Sequence, residues 1–326
     1  MRLILPLILL CLLLMVVSLL TGSGHVPLID ALHAYLGQGD PLVVLVMQEL
    51  RAPRAVLALC VGAALGLGGA AMQGLLRNPL AEPGIVGTSG FAALGAVLAI
   101  QTGAAALFPL ALPLAALTGA AAAVGLLLVI AGPNGSSTTL ILSGVALSGA
   151  AGALVSLVLN LSPNPFAANE IMFWLMGSLA DRSWRHAGLA RPFMLCGAWL
   201  VWRARRDLDA LSLGEETAQS MGVDLPRLRR GLVLGTACLA GSATAVAGMI
   251  GFVGLVVPHL LRRLTGGLPS RLLVPAALGG AALILAADVA VRLVLPGRDL
   301  KLGVLTALIG TPVFLHLVWQ ARGRMA

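Results

Sequence analysis

Charge is scarce in this sequence: Asp, Glu, Lys and Arg make up 10% of its 326 residues, against roughly 25% in a soluble globular chain. That shortage excludes an ordinary water-soluble fold. With 59% hydrophobic residues and a mean hydropathy of +0.98, the chain reads as a polytopic membrane protein. Lysine is nearly absent, and the single Lys301 follows Leu300. A phosphate loop of the G-x-x-x-x-G-K-[ST] type needs lysine directly after glycine, so this chain cannot hydrolyse ATP by itself. Cys11, Cys60, Cys196 and Cys238 lie in or beside apolar runs without C-x-x-C spacing, which points to neither a disulfide framework nor a metal site. H-E-x-x-H and G-x-S-x-G are both missing, so no catalytic residues are expected.

Acids in the middle of apolar runs are also missing. A proton- or sodium-coupled carrier usually needs ionisable groups there. Glu82 and Asp288 fall at the ends of runs, and Asp288 has Arg292 four residues on as a helix partner. His259 and His316 stand singly beside apolar segments and read as packing or interface residues.

What the chain has in abundance is glycine, 40 residues, together with alanine; small residues let membrane helices approach closely. The net charge of +8 is almost all arginine, dispersed at the ends of apolar runs, a topological pattern rather than a nucleic-acid footprint. Apolar runs predict ten spans in one domain. Spans one to six are placed at 3–20, 55–76, 85–100, 104–131, 140–161 and 186–202. The stretch after 230 is too long for one span and is divided into a seventh and a short eighth ending at Arg262-Arg263; the ninth and tenth are 272–291 and 304–319. The first is read as a retained span, because its apolar run exceeds the roughly 7 to 15 residues of a signal peptide. Residues 22–54, with His25, His33 and Tyr35, read as an outer loop with room for a short surface helix, 132–139 as a polar turn, 169–184 as an interfacial segment, and 296–301 as a loop. Ten spans put both termini on one side. With that side cytoplasmic, most of the 21 basic residues fall inside. Arg51-Ala-Pro-Arg54 and Arg227-Leu-Arg-Arg230 each precede a small-residue-rich span, one outside and one inside, a weak echo of an inverted repeat.

The longest stretch that cannot sit in lipid is 203–230, between spans six and seven, and it reads as a solvated hinge. Ser212 and Glu215 have the spacing of a capping box, predicting a short helix from Leu213 to Met221 that stops at Gly222. Asp224 before Pro226 predicts a second helix start. Two short helices with a bend make a knob that a partner can grip, although an ordinary solvated loop fits the composition equally.

Several motifs in order then resemble one family. Arg51-Ala-Pro-Arg54, Met72-Gln73-Gly74, Arg77-Asn78-Pro79-Leu80-Ala81-Glu82-Pro83-Gly84, Phe173-Trp174, Leu213-Gly214-Glu215-Glu216-Thr217-Ala218 with Met221-Gly222-Val223, 251–259 ending in Pro258-His259, and Leu305 to Pro312 are similar to the FecCD family of ABC-transporter permeases. The resemblance implies an all-α integral membrane fold of ten helices, the type II ABC importer permease fold. It implies a homodimer in the bacterial inner membrane, two cytoplasmic ABC ATPase subunits that bind the ATP and Mg, and a periplasmic substrate-binding protein. The cargo would be an iron-siderophore, haem or cobalamin; the chain itself would hold no cofactor. On this resemblance Leu213, Gly214, Glu215, Glu216, Thr217, Ala218, Met221 and Gly222 form the ATPase-coupling helix. Asn78, Pro79, Leu80, Glu82, Pro83, Ser137 and Thr138 match the cytoplasmic gate, and Arg51, Arg54 and Arg292 the binding-protein docking face. An ion-coupled secondary transporter with inverted repeats, or a purely structural membrane subunit, remain the alternatives.

Overall fold

The computed structural model describes residues 3–22, 26–132, 135–294 and 300–322. His25, most of the 296–301 loop and Arg324 therefore lie outside the described residues. The first half contains α1 (Ile4–Leu20), α2 (Leu28–Tyr35), α3 (Pro41–Leu45), α4 (Ala52–Leu75), α5 (Thr88–Gln101), α6 (Ala111–Ala131), α7 (Ser137–Asn160) and α8 (Pro165–Leu175). The second contains α9 (Trp184–Arg203), α10 (Arg205–Leu211), α11 (Glu215–Ser220), α12 (Leu225–Ala247), α13 (Val253–Arg262), α14 (Pro269–Val294) and α15 (Leu302–Arg322). No strand occurs among the described residues.

Each of the ten predicted spans has a helix at its place. Five helical runs are long and apolar enough to cross a bilayer, namely Pro41–Leu75, Ala111–Ala131, Ser137–Asn160, Leu225–Ala247 and Pro269–Val294. Several boundaries differ from the sequence reading. The outer segment is not simply a loop: α3 and a π-helical turn, Val46–Arg51, lead straight into α4, so the second span begins in a helix that starts at Pro41. Asp40 starts it, accepting a hydrogen bond from Leu42 N. The polar turn before α7 is shorter than expected. Ser136 is the N-cap, accepting from Thr139 N, and Ser137 and Thr138 are helical.

Close packing explains the glycines. At Gly62 an added Cβ would lie 2.2 Å from the Gly280 carbonyl oxygen, and at Gly280 it would lie 2.2 Å from that of Gly62. Backbones of α4 and α14 are thus in direct contact, a spacing that only residues without side chains permit. Gly69 against Gly254 does the same for α4 and α13.

The pattern of packed pairs repeats between halves. α4 packs on α14, α13 and α12; correspondingly α12 packs on α6, α5 and α4. α5 with α6 and α7 has its counterpart in α13 with α14 and α15. The echo in the sequence thus reflects equivalent helices, α4 with α12 and α5 with α13.

Each half also contains a break. Between α4 and α5 the chain passes through Arg77 at φ 48° and a 3-10 turn, Pro83–Val86, to Gly87 at φ 80°. Between α12 and α13 it runs from Gly248, φ 73°, to Phe252, φ 69°. Non-helical backbone at membrane depth is tolerated only where protein or trapped water satisfies it. Here the first break supports the second: Phe252 N donates to Glu82 Oε1 at 2.7 Å, and Pro83 fills the space beside Gly254. This explains the eighth helix, which at 10 residues is only about 15 Å long.

Candidate coupling and gating site

The segment between α9 and α12 is more anchored than a solvated hinge. α10 buries Leu208, Ala210 and Leu211 against α4 and α14. Asp209 Oδ1 accepts from Ser270 N at 2.9 Å, capping the start of α14 from a distant part of the chain. The expected capping box does not form. Ser212 Oγ turns back to the Asp209 carbonyl at 2.6 Å, Gly214 at φ 118° takes the N-cap position, and α11 starts at Glu215 rather than Leu213. Gly222 does adopt the left-handed conformation, φ 88°. Asp224 also starts the next helix as expected, accepting from Arg227 N at 3.0 Å, but that helix is the full-length α12, not a short one.

α11 has two faces. Ala218 is buried at 0% exposure, whereas Leu213 and Met221 are 65% and 61% exposed beside exposed Glu216 and Thr217. Large apolar side chains held outward on a polar knob are the composition of a contact surface.

Glu215 turns the other way and joins three elements. Oε2 pairs with Arg229 on α12 at 2.8 Å, and Oε1 accepts from Ser137 Oγ on α7 at 3.0 Å. Arg229 also donates to the Gly135 carbonyl at 3.0 Å. The carboxyl is held below its usual range. The Arg229 hydrogen bond is the largest influence; partial burial opposes it; Ser137 and the charges of Arg229 and Arg77 add to it. A lowered pKa means that this contact stabilises the fold above the ordinary carboxylate pKa of about 4.3 and loses its contribution as pH falls through the folded value. Between pH 6 and 8 exchange protection of the α11 amides should therefore be constant, and it should fall on acidification below pH 4. A Glu215→Gln variant should show reduced protection already at pH 7, with no further loss at the acid end.

The predicted gate residues fall into two groups. Asn78 and Pro79 are exposed after α4, and Asn78 Oδ1 accepts from Leu80 N at 2.9 Å. Glu82 and Pro83 hold the break of the second half, as described above. Ser137 and Thr138 form the first turn of α7. Ser137 is tied to Glu215, and Arg77, next to Asn78, lies within the electrostatic reach of the same carboxylate. Arg229 was not singled out from sequence, and a partner in α11 leaves no local spacing by which to find it.

Glu82 and Pro83 also line a cleft of about 560 Å³. Its walls include Glu82, Ser89, Ser148 and Ser156 among small and apolar residues of α4, α5, α7 and the α12–α13 break.

The three arginines assigned to docking lie at one end of α4 and α14. Arg54 bonds Asp288 through Nε and NH2, with contacts of 2.9 and 2.8 Å to Oδ1. Arg292 reaches Asp288 Oδ2 at 2.8 Å, the Ser18 carbonyl at 2.9 Å and the Thr21 carbonyl. Arg51 donates to the Leu19 and Leu20 carbonyls at 3.2 and 3.1 Å. Two of the three thus bind the open carbonyls at the C-terminal end of α1, a favourable place for a cation. Asp288 is 1% exposed, and Arg54 keeps the most surface of its two partners, 21% of its side chain against 11% for Arg292.

Comparison with known proteins agrees with this anatomy. The model of the FecCD transport family matches residues 9–320. The chain is 38% identical over 317 residues to the vitamin B12 import system permease protein BtuC of Klebsiella pneumoniae, covering 97% of this chain and 93% of that one. It is 38% identical over 281 residues to the Fe(3+)-citrate import system permease protein YfmE of Bacillus subtilis, covering 85% and 83%. Among solved structures, an inward-facing conformation of a metal-chelate type ABC transporter superposes with a TM-score of 0.87 at 33% identity, covering 98% of this chain and 99% of that one. With equivalent helices in both halves, a knob carrying an outward apolar face and a match along nearly its whole length, this chain belongs to the FecCD transport family of ABC-transporter permeases.

Proposed function

We propose that the chain is the membrane-spanning subunit of an ATP-driven importer that works as a homodimer and carries a metal chelate or cobalamin from periplasm to cytoplasm. The observation that carries the reading is Glu215. It sits on the segment whose outer face, Leu213, Glu216, Thr217, Met221 and Gly222, is free to meet an ATPase, and its carboxylate holds Ser137 of α7 and Arg229 of α12. A displacement of α11 by ATP binding in the partner is thereby passed to the first turn of α7, where Ser137 and Thr138 border the exit. ATP and Mg belong to the partner; the chain's own part is mechanical. The coupling face and both termini are cytoplasmic in this reading.

The cargo class rests on relatives named for vitamin B12 and Fe(3+)-citrate import and on the metal-chelate transporter structure. The serine-lined cleft suits a bulky cargo passed along without tight binding. The open faces of α7 and α15, with Leu142, Val145, Leu308 and Leu315 exposed, supply an interface for the second copy. On the outer face, Arg54 retains surface for a carboxylate of a periplasmic binding protein, while Arg51 and Arg292 fix the platform beneath it. Ion-coupled transport is the weaker reading, because both acids nearest the spans are already engaged within the fold, Asp288 by two guanidinium groups and Glu82 by Phe252 N.

Reconstitution tests the proposal. Liposomes containing the chain, its ATPase subunit and its binding protein should accumulate chelate only with ATP inside. Uptake by the chain alone under an ion gradient would replace the reading with secondary transport.

A further inference from the structure

The N-terminal end of α1, the C-terminal end of α9 and the corner between α13 and α14 enclose an open cleft of about 890 Å³. Its composition is divided. Leu3, Ile4, Val274 and Pro275 give an apolar floor, and Thr265, Ser270, Arg271 and Trp202 give a polar edge. Arg271 is exposed and, among the described residues, has no hydrogen bond or ion pair, unlike Arg54, Arg229 and Arg292. A second guanidinium stands at the rim: Arg205 stacks 4.4 Å from the Trp202 ring centroid. Asp209, which reaches this edge from α10, accepts from Ser270 N at the start of α14.

We propose that this cleft seats an anionic glycerophospholipid. The phosphate pairs with Arg271, the glycerol region lies beside Trp202, and the start of an acyl chain covers Leu3, Ile4, Val274 and Pro275. Three physical features select that occupant. A cleft with a polar edge and an apolar floor at the end of membrane helices has the division of a lipid molecule. A tryptophan at that level is the usual interfacial side chain. An unpaired arginine at a membrane surface attracts an anionic headgroup by about 1 kcal/mol, which for Arg271 corresponds to about a fivefold preference over a zwitterionic lipid. The seat adjoins the Asp209–Ser270 contact that fastens α10 to α14, so bound lipid would steady the base of the coupling segment. The inference rests on the membrane-surface position of this corner and not on the identity of the cargo.

The test uses the full chain purified in a neutral detergent and measures lipid retained per chain by native mass spectrometry from equal mixtures of phosphatidylglycerol and phosphatidylcholine. Wild type should retain phosphatidylglycerol about fivefold better. Arg271→Gln should bring the ratio close to one, and Arg271→Lys should keep most of it. Arg227→Gln, which removes an exposed arginine paired with Asp224 away from the cleft, should behave as wild type. Unchanged folding of Arg271→Gln is checked by its melting temperature without lipid. An undiminished preference in Arg271→Gln, or an equal loss in Arg227→Gln, overturns the site in favour of a diffuse basic surface. Inorganic phosphate displacing the lipid at equal concentration overturns it in favour of a simple anion site.

Discussion

Replacing Asp288 by alanine is expected to remove most of the stability where α14 meets α4 and the end of α1. The carboxylate is 1% exposed and holds Arg54 and Arg292 within 2.9 Å. Deleting one partner of a buried pair leaves an uncompensated charge, at a cost of about 3 to 5 kcal/mol. Both arginines lose their carboxylate here, although Arg292 keeps its bonds to the end of α1. Thermal unfolding in detergent should show a large fall in melting temperature, and Asp288→Asn, which keeps an acceptor, a smaller one. A melting temperature equal to wild type would mean that the cluster is solvated in the working protein. The same geometry bears on docking experiments. Reversing Arg54 to Glu would set a second acid against Asp288 and confound docking with folding, so Arg54→Gln is the cleaner variant.

Placing proline at Ala218 is expected to separate transport from ATP hydrolysis. Ala218 N donates to the Gly214 carbonyl, and the Ala218 carbonyl accepts from Val223 N. Proline removes the first bond and its ring crowds the preceding turn, at about 3 kcal/mol or more. A helix of 6 residues has no reserve with which to absorb that loss. The membrane helices do not depend on it, so far-UV helicity and assembly in the membrane should persist while uptake and ATPase association collapse. Normal uptake by this variant would remove α11 from the coupling path.

The spans were legible in the sequence because hydrocarbon thickness imposes a local length signal on each helix. So were Gly222 and Asp224, whose roles depend only on their own backbone and the next turn. Contacts between elements were not. Ser212 and Glu215 satisfy the capping spacing, yet both side chains have better partners: a carbonyl three residues back for the serine, and α12 and α7 for the glutamate. The shortness of α13 is equally non-local, since the donor that starts it is satisfied by Glu82 from the other half. For the outer arginines, Asp288 was visible as a partner by helix spacing, whereas the open carbonyls at the end of α1 were not.

The central claim is that α11 passes the ATPase cycle to the start of α7. Its most direct measurement is the distance between two spin labels on Thr138→Cys, one in each copy of the proposed homodimer, in a background without the native cysteines and with the ATPase bound. The distance should change between nucleotide-free and ATP-bound states, and the change should disappear when Glu215→Gln is added although nucleotide still binds. An identical distance in every nucleotide state, or a full change without Glu215, would contradict the account.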